Sequence, residues 1–153
     1  MPILVLYTTS QGSTAGIANR IAARIELRLP PCEVRNIADF NADYLPNYTA
    51  VVLGSPIHGA QWLDKAVKFY CDNKDVLILK PVYAFSVGAP NALPEWLRGK
   101  WGAFEEGKIE MSLQKALHGK VTRHTLLSGK LLPKKEPLVV RLCCGILGGE
   151  GVG

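Results

Sequence analysis

Several features common in nucleotide-binding and metal-binding proteins are missing from this chain. It contains no G-x-x-x-x-G-K-[ST] motif, and its first loop lacks the three-glycine spacing of dinucleotide sites, which argues against an NTPase. No apolar stretch approaches the length of a membrane span. The four cysteines form no C-x-x-C pair, and neither His118 nor His124 belongs to a metal-ligand pattern. We therefore expect reduced thiols, no bound metal and a cytoplasmic location.

The overall composition is that of one globular domain. Of the 153 residues, 48% are hydrophobic and 20% are charged, and a chain of this length can bury a substantial core. The formal net charge of +5 permits an acidic partner or an anionic membrane surface without requiring either. No predicted element fits a nucleic-acid groove, so no nucleic-acid partner is expected.

Hydrophobic periodicity alternates between strand and helix along the chain. Apolar runs predict five strands, at 3–8, 32–37, 50–54, 81–87 and 122–127. Helical spacing predicts one helix at about 14–28 and a second that is marked by Leu63, Ala66, Val67 and Tyr70. The apolar face of the first consists of Ile17, Ala18, Ile21, Ala22, Ile25 and Leu29. Strands separated by helices pair in parallel, which predicts a doubly wound, three-layer α/β/α domain.

The loop after the first predicted strand is rich in hydroxyl groups and contains no cation. It consists of Thr8, Thr9, Ser10, Gln11, Gly12, Ser13 and Thr14, and a helix begins directly after it. Loop amides and the positive helix end together form an anion site. Because Lys and Arg are absent, the terminal phosphate of a mononucleotide fits better than a triphosphate with its magnesium.

Two further loops leave the same edge of the predicted sheet. Residues 55–62 follow the third strand and residues 86–91 follow the fourth, and each loop opens with a serine and contains a glycine. Glycine allows the backbone to approach a flat ring closely. Ligands of open α/β sheets bind at this edge, where the winding direction reverses. One phosphate loop and two ring-flanking loops are what a flavin mononucleotide, FMN, requires.

At this point the sequence resembles the flavodoxin superfamily, whose sheet has the strand order 2-1-3-4-5. The family's first loop has an aromatic, a hydroxyl residue, a small residue and a threonine, which correspond here to Tyr7, Thr9, Gly12 and Thr14. The turns at 54–57 and 85–88 follow at suitable distances. Within the superfamily, the chain is most similar to the group that includes menaquinone-dependent protoporphyrinogen dehydrogenase. That likeness depends on Gly54-Ser55, His58-Gly59, Trp62 and the Gly148-Gly149-Glu150 segment.

The resemblance implies an FMN site assembled from the three loops. The residues implied to hold the phosphate are Thr9, Ser10, Gln11, Gly12, Ser13 and Thr14. Those implied to lie beside the isoalloxazine ring are Ser55, Pro56, Ile57, His58 and Gly59. Those implied to contact its pyrimidine side are Ser86, Val87, Gly88 and Ala89. His58 is also the candidate catalytic residue, as a donor to a flavin carbonyl or a proton shuttle, with an ordinary surface histidine as the alternative.

Three functions remain open. The first is an FMN-dependent oxidoreductase that transfers electrons between an organic substrate, with protoporphyrinogen as the example, and a quinone-type acceptor. The basic net charge favours it, since electron-carrier flavodoxins are acidic and positive charge favours the anionic reduced flavin. The second is a one-electron-carrier flavodoxin domain. The third is a non-catalytic interaction module of the same fold at a membrane surface.

The C-terminal third of the chain matches the resemblance less closely. The family fold ends with a further helix after the Gly-Gly-Glu segment, so we expect a chain truncated from a longer parent, lacking that helix. An oligomer or the 138–147 segment could then cover the exposed sheet face. The basic and apolar segment 130–147 could alternatively contact a membrane peripherally. Trp96 and Trp101 flank two cations and suit either an anionic aromatic ligand or a packing role.

Overall fold

The computed structural model describes residues 1–10, 12–29, 31–58, 61–88, 107–108, 111, 114–115 and 121–128. These residues form a six-stranded sheet with helices on both faces. The strands are β1 (Ile3–Tyr7), β2 (Cys32–Asn36), β3 (Ala50–His58), β4 (Gln61–Trp62), β5 (Val82–Gly88) and β6 (Arg123–Ser128). The helices are α1 (Ser13–Glu26), α2 (Asp64–Asp72) and the single-turn α3 (Lys74–Leu77).

The five main strands are parallel and lie in the order β2-β1-β3-β5-β6. Without the two-residue β4, this is the predicted order 2-1-3-4-5, and the predicted flavodoxin-like fold is confirmed. β2 lies at an edge of the sheet, as its half-polar sequence indicates. The winding direction reverses between β1 and β3, so the switch point lies where the first two binding loops begin.

Alternating side chains of the strands supply two separate cores. On one face, Ile3 and Val5 of β1 pack with the predicted apolar face of α1, and Leu29 packs against the same cluster. On the other face, Leu4 and Leu6 pack with Ala66 and Tyr70 of α2. Each central strand is therefore apolar on both sides, which explains its unbroken hydrophobic run.

The structure differs from the sequence prediction around the third strand. Residues 55–58 continue β3 instead of forming a loop, and the antiparallel β4 pairs Trp62 with Ile57 and Gln61 with His58. Two short 3₁₀ helices, Ile37–Asp39 and Ala42–Asn47, connect β2 to β3. The pairs between β3 and β4 join the described residues at both ends of the second binding loop to each other.

Several predictions fall outside the described residues. They concern Gln11, Gly59 and Ala89 of the binding loops, the tryptophans at 96 and 101, the segment 130–147 and the expected absence of a final helix. Within the described ranges, no helix is both long and apolar enough to cross a membrane.

Candidate functional site

The carboxyl ends of β1, β3 and β5 meet at one edge of the sheet. Tyr7 of β1 pairs with Gly54 of β3, and Gly54 pairs in turn with Phe85 of β5. The amide of Thr8 continues the ladder by donating to the Gly54 carbonyl at 3.0 Å. The three sequence segments predicted to bind a ligand therefore begin side by side on adjacent strands.

Gly54 is required at this junction because the ring of Phe85 covers it. A Cβ atom built at Gly54 would lie 2.0–2.6 Å from three ring atoms of Phe85, closer than any real contact. The Phe85 side chain is fully buried and belongs to the core beneath α1. The glycine thus fixes the packing of the two strands that carry the second and third loops.

The first loop turns sharply into α1. Gly12 has φ of 86°, in the left-handed region that glycine adopts without strain, and its amide donates to Thr9 Oγ1 at 2.7 Å. Among the described residues, no side chain caps the N-terminus of α1, and no acidic residue lies in its first turn. The first amides of α1 and the positive end of its dipole therefore remain available to an anion.

The Thr14 hydroxyl is the most informative atom of this loop. Thr14 lies in the first turn of α1 with 0% of its surface exposed, and its Oγ1 has no hydrogen-bond partner among the described residues. Burying a hydroxyl without a partner costs about 1–3 kcal/mol, so such groups are rare unless a ligand satisfies them. The orphaned hydroxyl beside an uncapped helix end fits a bound phosphate.

The structure brings the first and second loops together through His58. Its exposed imidazole lies at the end of β3, with Nε2 3.3 Å from Oγ of the exposed Ser10. β3 extends four residues beyond Gly54, the last residue paired with β1, and this overhang carries His58 across the phosphate loop. His58 therefore connects the end of β3 with the first loop.

The two serines predicted to lie near the ring are fully buried and bonded within the protein. Ser55 Oγ donates to the Pro56 carbonyl at 2.9 Å and accepts from the Leu63 amide at 3.1 Å. Ser86 Oγ accepts from the indole Nε1 of Trp62 at 2.7 Å and lies 2.6 Å from His124 Nε2. A ligand ring at this edge would meet the backbone of these serines before their hydroxyls.

The remaining described residues of the loops differ in exposure. Pro56 and Val87 are buried, Ile57 and Gly88 are partly exposed, and Ser13 is exposed. Pro56 pairs with Val87, so the ends of β3 and β5 run together past the end of β1. They form one wall beside the first loop.

Trp62 and His124 are two functional candidates whose placement the sequence did not reveal. Trp62 is 5% exposed and packs in the core beneath α2. Burial lowers the pKa of His124 from 6.5 to about 4, so its imidazole is neutral at pH 7. Only the register of β5 with β6 brings His124 within reach of Ser86, so periodicity alone holds no signal for this contact.

The described part of the site contains no acidic side chain. Residues 8–10, 12–14, 55–58 and 86–88 include hydroxyls, glycines, apolar groups and His58, but no Asp or Glu. In the same described portion of the chain, no cluster of three or more His, Cys, Asp or Glu side chains could hold a metal ion. The described site therefore offers neutral hydrogen-bonding groups and an imidazole beside an apolar wall.

Comparison with known proteins agrees with this geometry. The family profile for the flavodoxin domain matches residues 4–143. A curated relative from Clostridioides difficile, the flavodoxin-like domain-containing protein BilS, is 29% identical over 115 residues, which cover 75% of this chain and 60% of that protein. The chain thus spans less than two thirds of that relative.

Solved structures show the same fold. The two-electron reduced flavodoxin of Megasphaera elsdenii superposes with a TM-score of 0.62 at 22% identity, covering 93% of this chain and 96% of that one. The Fusobacterium nucleatum flavodoxin bound to flavin mononucleotide superposes with a TM-score of 0.53 at 15% identity, covering 81% and 68%. With the profile match over most of its length, the chain belongs to the flavodoxin-domain family.

Proposed function

We propose that this protein binds FMN at the carboxyl edge of its sheet and functions in electron transfer. The observation that supports this most directly is the buried Thr14 hydroxyl, which has no partner among the described residues and lies beside the uncapped start of α1. A phosphate at this position would satisfy the hydroxyl and the helix amides together. The fold relationship to a flavodoxin bound to FMN supports the same cofactor.

The residues of this chain would divide the binding of FMN between them. Thr9, Ser10, Ser13 and Thr14 offer hydroxyls to the phosphate, with the amides of the first loop. The β3–β4 hairpin and the end of β5 would border the isoalloxazine ring, which supplies the redox chemistry when bound. His58, at 3.3 Å from Ser10, would add a hydrogen-bond donor on the phosphate side. Its role as a proton shuttle to a substrate is a further proposal.

The local charge favours an oxidoreductase that transfers two electrons. No carboxylate lies in the described binding loops, and the chain carries a net charge of +5. Negative charge close to a flavin disfavours its anionic reduced form, so its absence raises the reduction potential. We propose an organic electron donor and a quinone-type acceptor as partners. Protoporphyrinogen as the donor, and membrane contact through 130–147, rest on the sequence resemblance alone.

A one-electron carrier is the second proposal, and the fold match to a flavodoxin supports it. The match to the Megasphaera elsdenii flavodoxin covers 93% of this chain and 96% of that one. A carrier needs no substrate pocket beyond the flavin site itself. The two proposals share the cofactor and its site and differ in reduction potential.

Reductive titration of the purified protein with bound FMN separates these functions. An oxidoreductase of the proposed kind reduces in one spectral step, at a potential above that of free FMN. Two resolved steps, with the second far below free FMN, would identify a carrier and contradict the charge argument. A protein that remains colourless and gains no thermal stability from added FMN would refute both and leave the non-catalytic interaction module.

A further inference from the structure

A chain of side-chain hydrogen bonds connects the end of the short strand β4 to β5 and β6. The indole N–H of Trp62 donates to Ser86 Oγ at 2.7 Å, and Ser86 Oγ lies 2.6 Å from His124 Nε2. Ser86 has no exposed surface, and Trp62 is 5% exposed. The three residues belong to β4, β5 and β6, so the contacts connect strands that are distant in sequence.

Each group in this chain is satisfied by one consistent arrangement. Burial holds the imidazole of His124 neutral at pH 7, with its pKa lowered to about 4. In the neutral tautomer protonated at Nδ1, Nε2 accepts, and this tautomer gives the Ser86 proton a partner: the Ser86 hydroxyl donates to His124 while its oxygen accepts from Trp62. Ser86 then acts as a relay between the buried Trp62 donor and the partly buried His124 acceptor, and loss of either end leaves a polar group of the buried Ser86 hydroxyl or Trp62 indole without its partner.

The chain fixes one end of the β3–β4 hairpin to the sheet. Trp62 ends β4, whose two residues pair with Ile57 and His58 of β3. The amide of the next residue, Leu63, donates to Ser55 Oγ at 3.1 Å. The buried side chains of Ser86 and Ser55 therefore bind two consecutive residues, Trp62 and Leu63. These bonds fix the described residues at the end of the hairpin against β3 and β5, next to the edge where the ring would lie.

We propose that His124, acting through Ser86 and Trp62, is a positioning residue that holds the ring-flanking hairpin in its binding conformation. This role rests on the proposed FMN site. This role differs from that of Thr14. A misplaced hairpin weakens the binding of the flavin ring, whereas loss of the Thr14 hydroxyl weakens the binding of the phosphate. Riboflavin, which has the ring without the phosphate, distinguishes the two.

Three variants of the full chain test the relay. Trp62→Phe keeps an aromatic ring and removes the N–H, His124→Leu removes the acceptor, and His124→Gln places an amide where Nε2 lies. The control is Thr125→Val, next to His124 on β6, whose buried hydroxyl has no partner among the described residues. Affinities for FMN and riboflavin are measured by fluorescence titration, and the Trp62 indole N–H by ¹⁵N NMR without ligand.

We expect Trp62→Phe and His124→Leu to weaken the binding of FMN and of riboflavin to the same extent. The loss should be about fivefold in affinity, which corresponds to the net free energy of one hydrogen bond. His124→Leu should also move the indole N–H resonance, while His124→Gln restores both the resonance and the affinities, and Thr125→Val changes neither. Three results would overturn the positioning role: equal losses of flavin affinity in His124→Gln and His124→Leu, an unchanged indole N–H resonance in His124→Leu, or a loss of FMN affinity without a loss of riboflavin affinity. Wild-type protein that binds neither flavin would overturn the proposed function and this role with it.

Discussion

Replacing Thr14 with valine should weaken FMN binding and, at the same time, stabilise the protein without ligand. Valine has nearly the shape of threonine and lacks only the hydroxyl. Because Thr14 is fully buried in the first turn of α1, the substitution changes one polar atom without opening a cavity. The opposite signs of the two effects make this substitution a sharp test of the phosphate site.

The magnitudes follow from the surroundings of Oγ1. Without a ligand, this oxygen has no partner among the described residues, so its removal relieves a desolvation cost and should stabilise the fold by about 1 kcal/mol. With FMN bound, the hydroxyl would donate to a charged phosphate, a bond worth about 1.5–3 kcal/mol. Its loss should therefore raise the FMN dissociation constant about tenfold to a hundredfold.

The assay compares Thr14→Val with Thr125→Val, the matched control. Thr125 is also buried, and its hydroxyl also has no partner among the described residues, but it lies on β6 outside the phosphate loop. Urea unfolding should show similar stabilisation of both variants, whereas only Thr14→Val should lose FMN affinity, with riboflavin binding unchanged. A Thr14→Val protein that is destabilised, or that binds FMN as tightly as wild type, would refute the reasoning.

Three other predictions follow from burial and packing. Folding favours the neutral form of His124, so this residue contributes up to about 3 kcal/mol to the free energy of unfolding above pH 6.5, and the contribution is lost as the pH falls toward 4. In urea unfolding across this range, the free energy of unfolding should fall less steeply for His124→Gln than for the wild type. Equal slopes for the two proteins would contradict the lowered pKa of His124. Gly54→Ala should lower the unfolding free energy by about 2 kcal/mol or more, because the Cβ overlaps the Phe85 ring, and an unchanged melting temperature would show that the ring can move. Burial raises the pKa of Cys32 to about 12, so peptide mapping after alkylation at pH 8 should show labelling of the exposed Cys71 well before Cys32; equal rates would contradict this.

Periodicity was sufficient to predict the layers of the domain, and the strand order came from the resemblance to flavodoxins. The buried residues of α1 are those that the helical spacing selects, and β1 and β5 are apolar on both sides because helices cover both faces. The loops at the carboxyl edge were predictable for the same reason, since parallel strands must end there together. Thr14 was recognised as a site residue, although nothing in the sequence shows that its hydroxyl is buried and unpartnered.

The extension of β3 was missed because Pro56 is atypical of a strand. Gly54 directs its carbonyl to Thr8 of β1, and Pro56, two residues later, faces the same side beyond the end of β1. At this position β1 has no residue that would accept a hydrogen bond from a backbone N–H, so the lack of an N–H in proline breaks no pairing. The contact of Ser86 with His124 was not predictable either, because it depends on a register between strands separated by 34 residues.

The central claim is that a phosphate of FMN occupies the start of α1. Isothermal titration of the purified protein with FMN and with riboflavin tests it most directly. The account predicts one FMN per chain, bound at least about tenfold more tightly than riboflavin, because the Thr14 hydroxyl and the first amides of α1 recognise the phosphate. Equal affinities for the two flavins, or no binding of either, would contradict it.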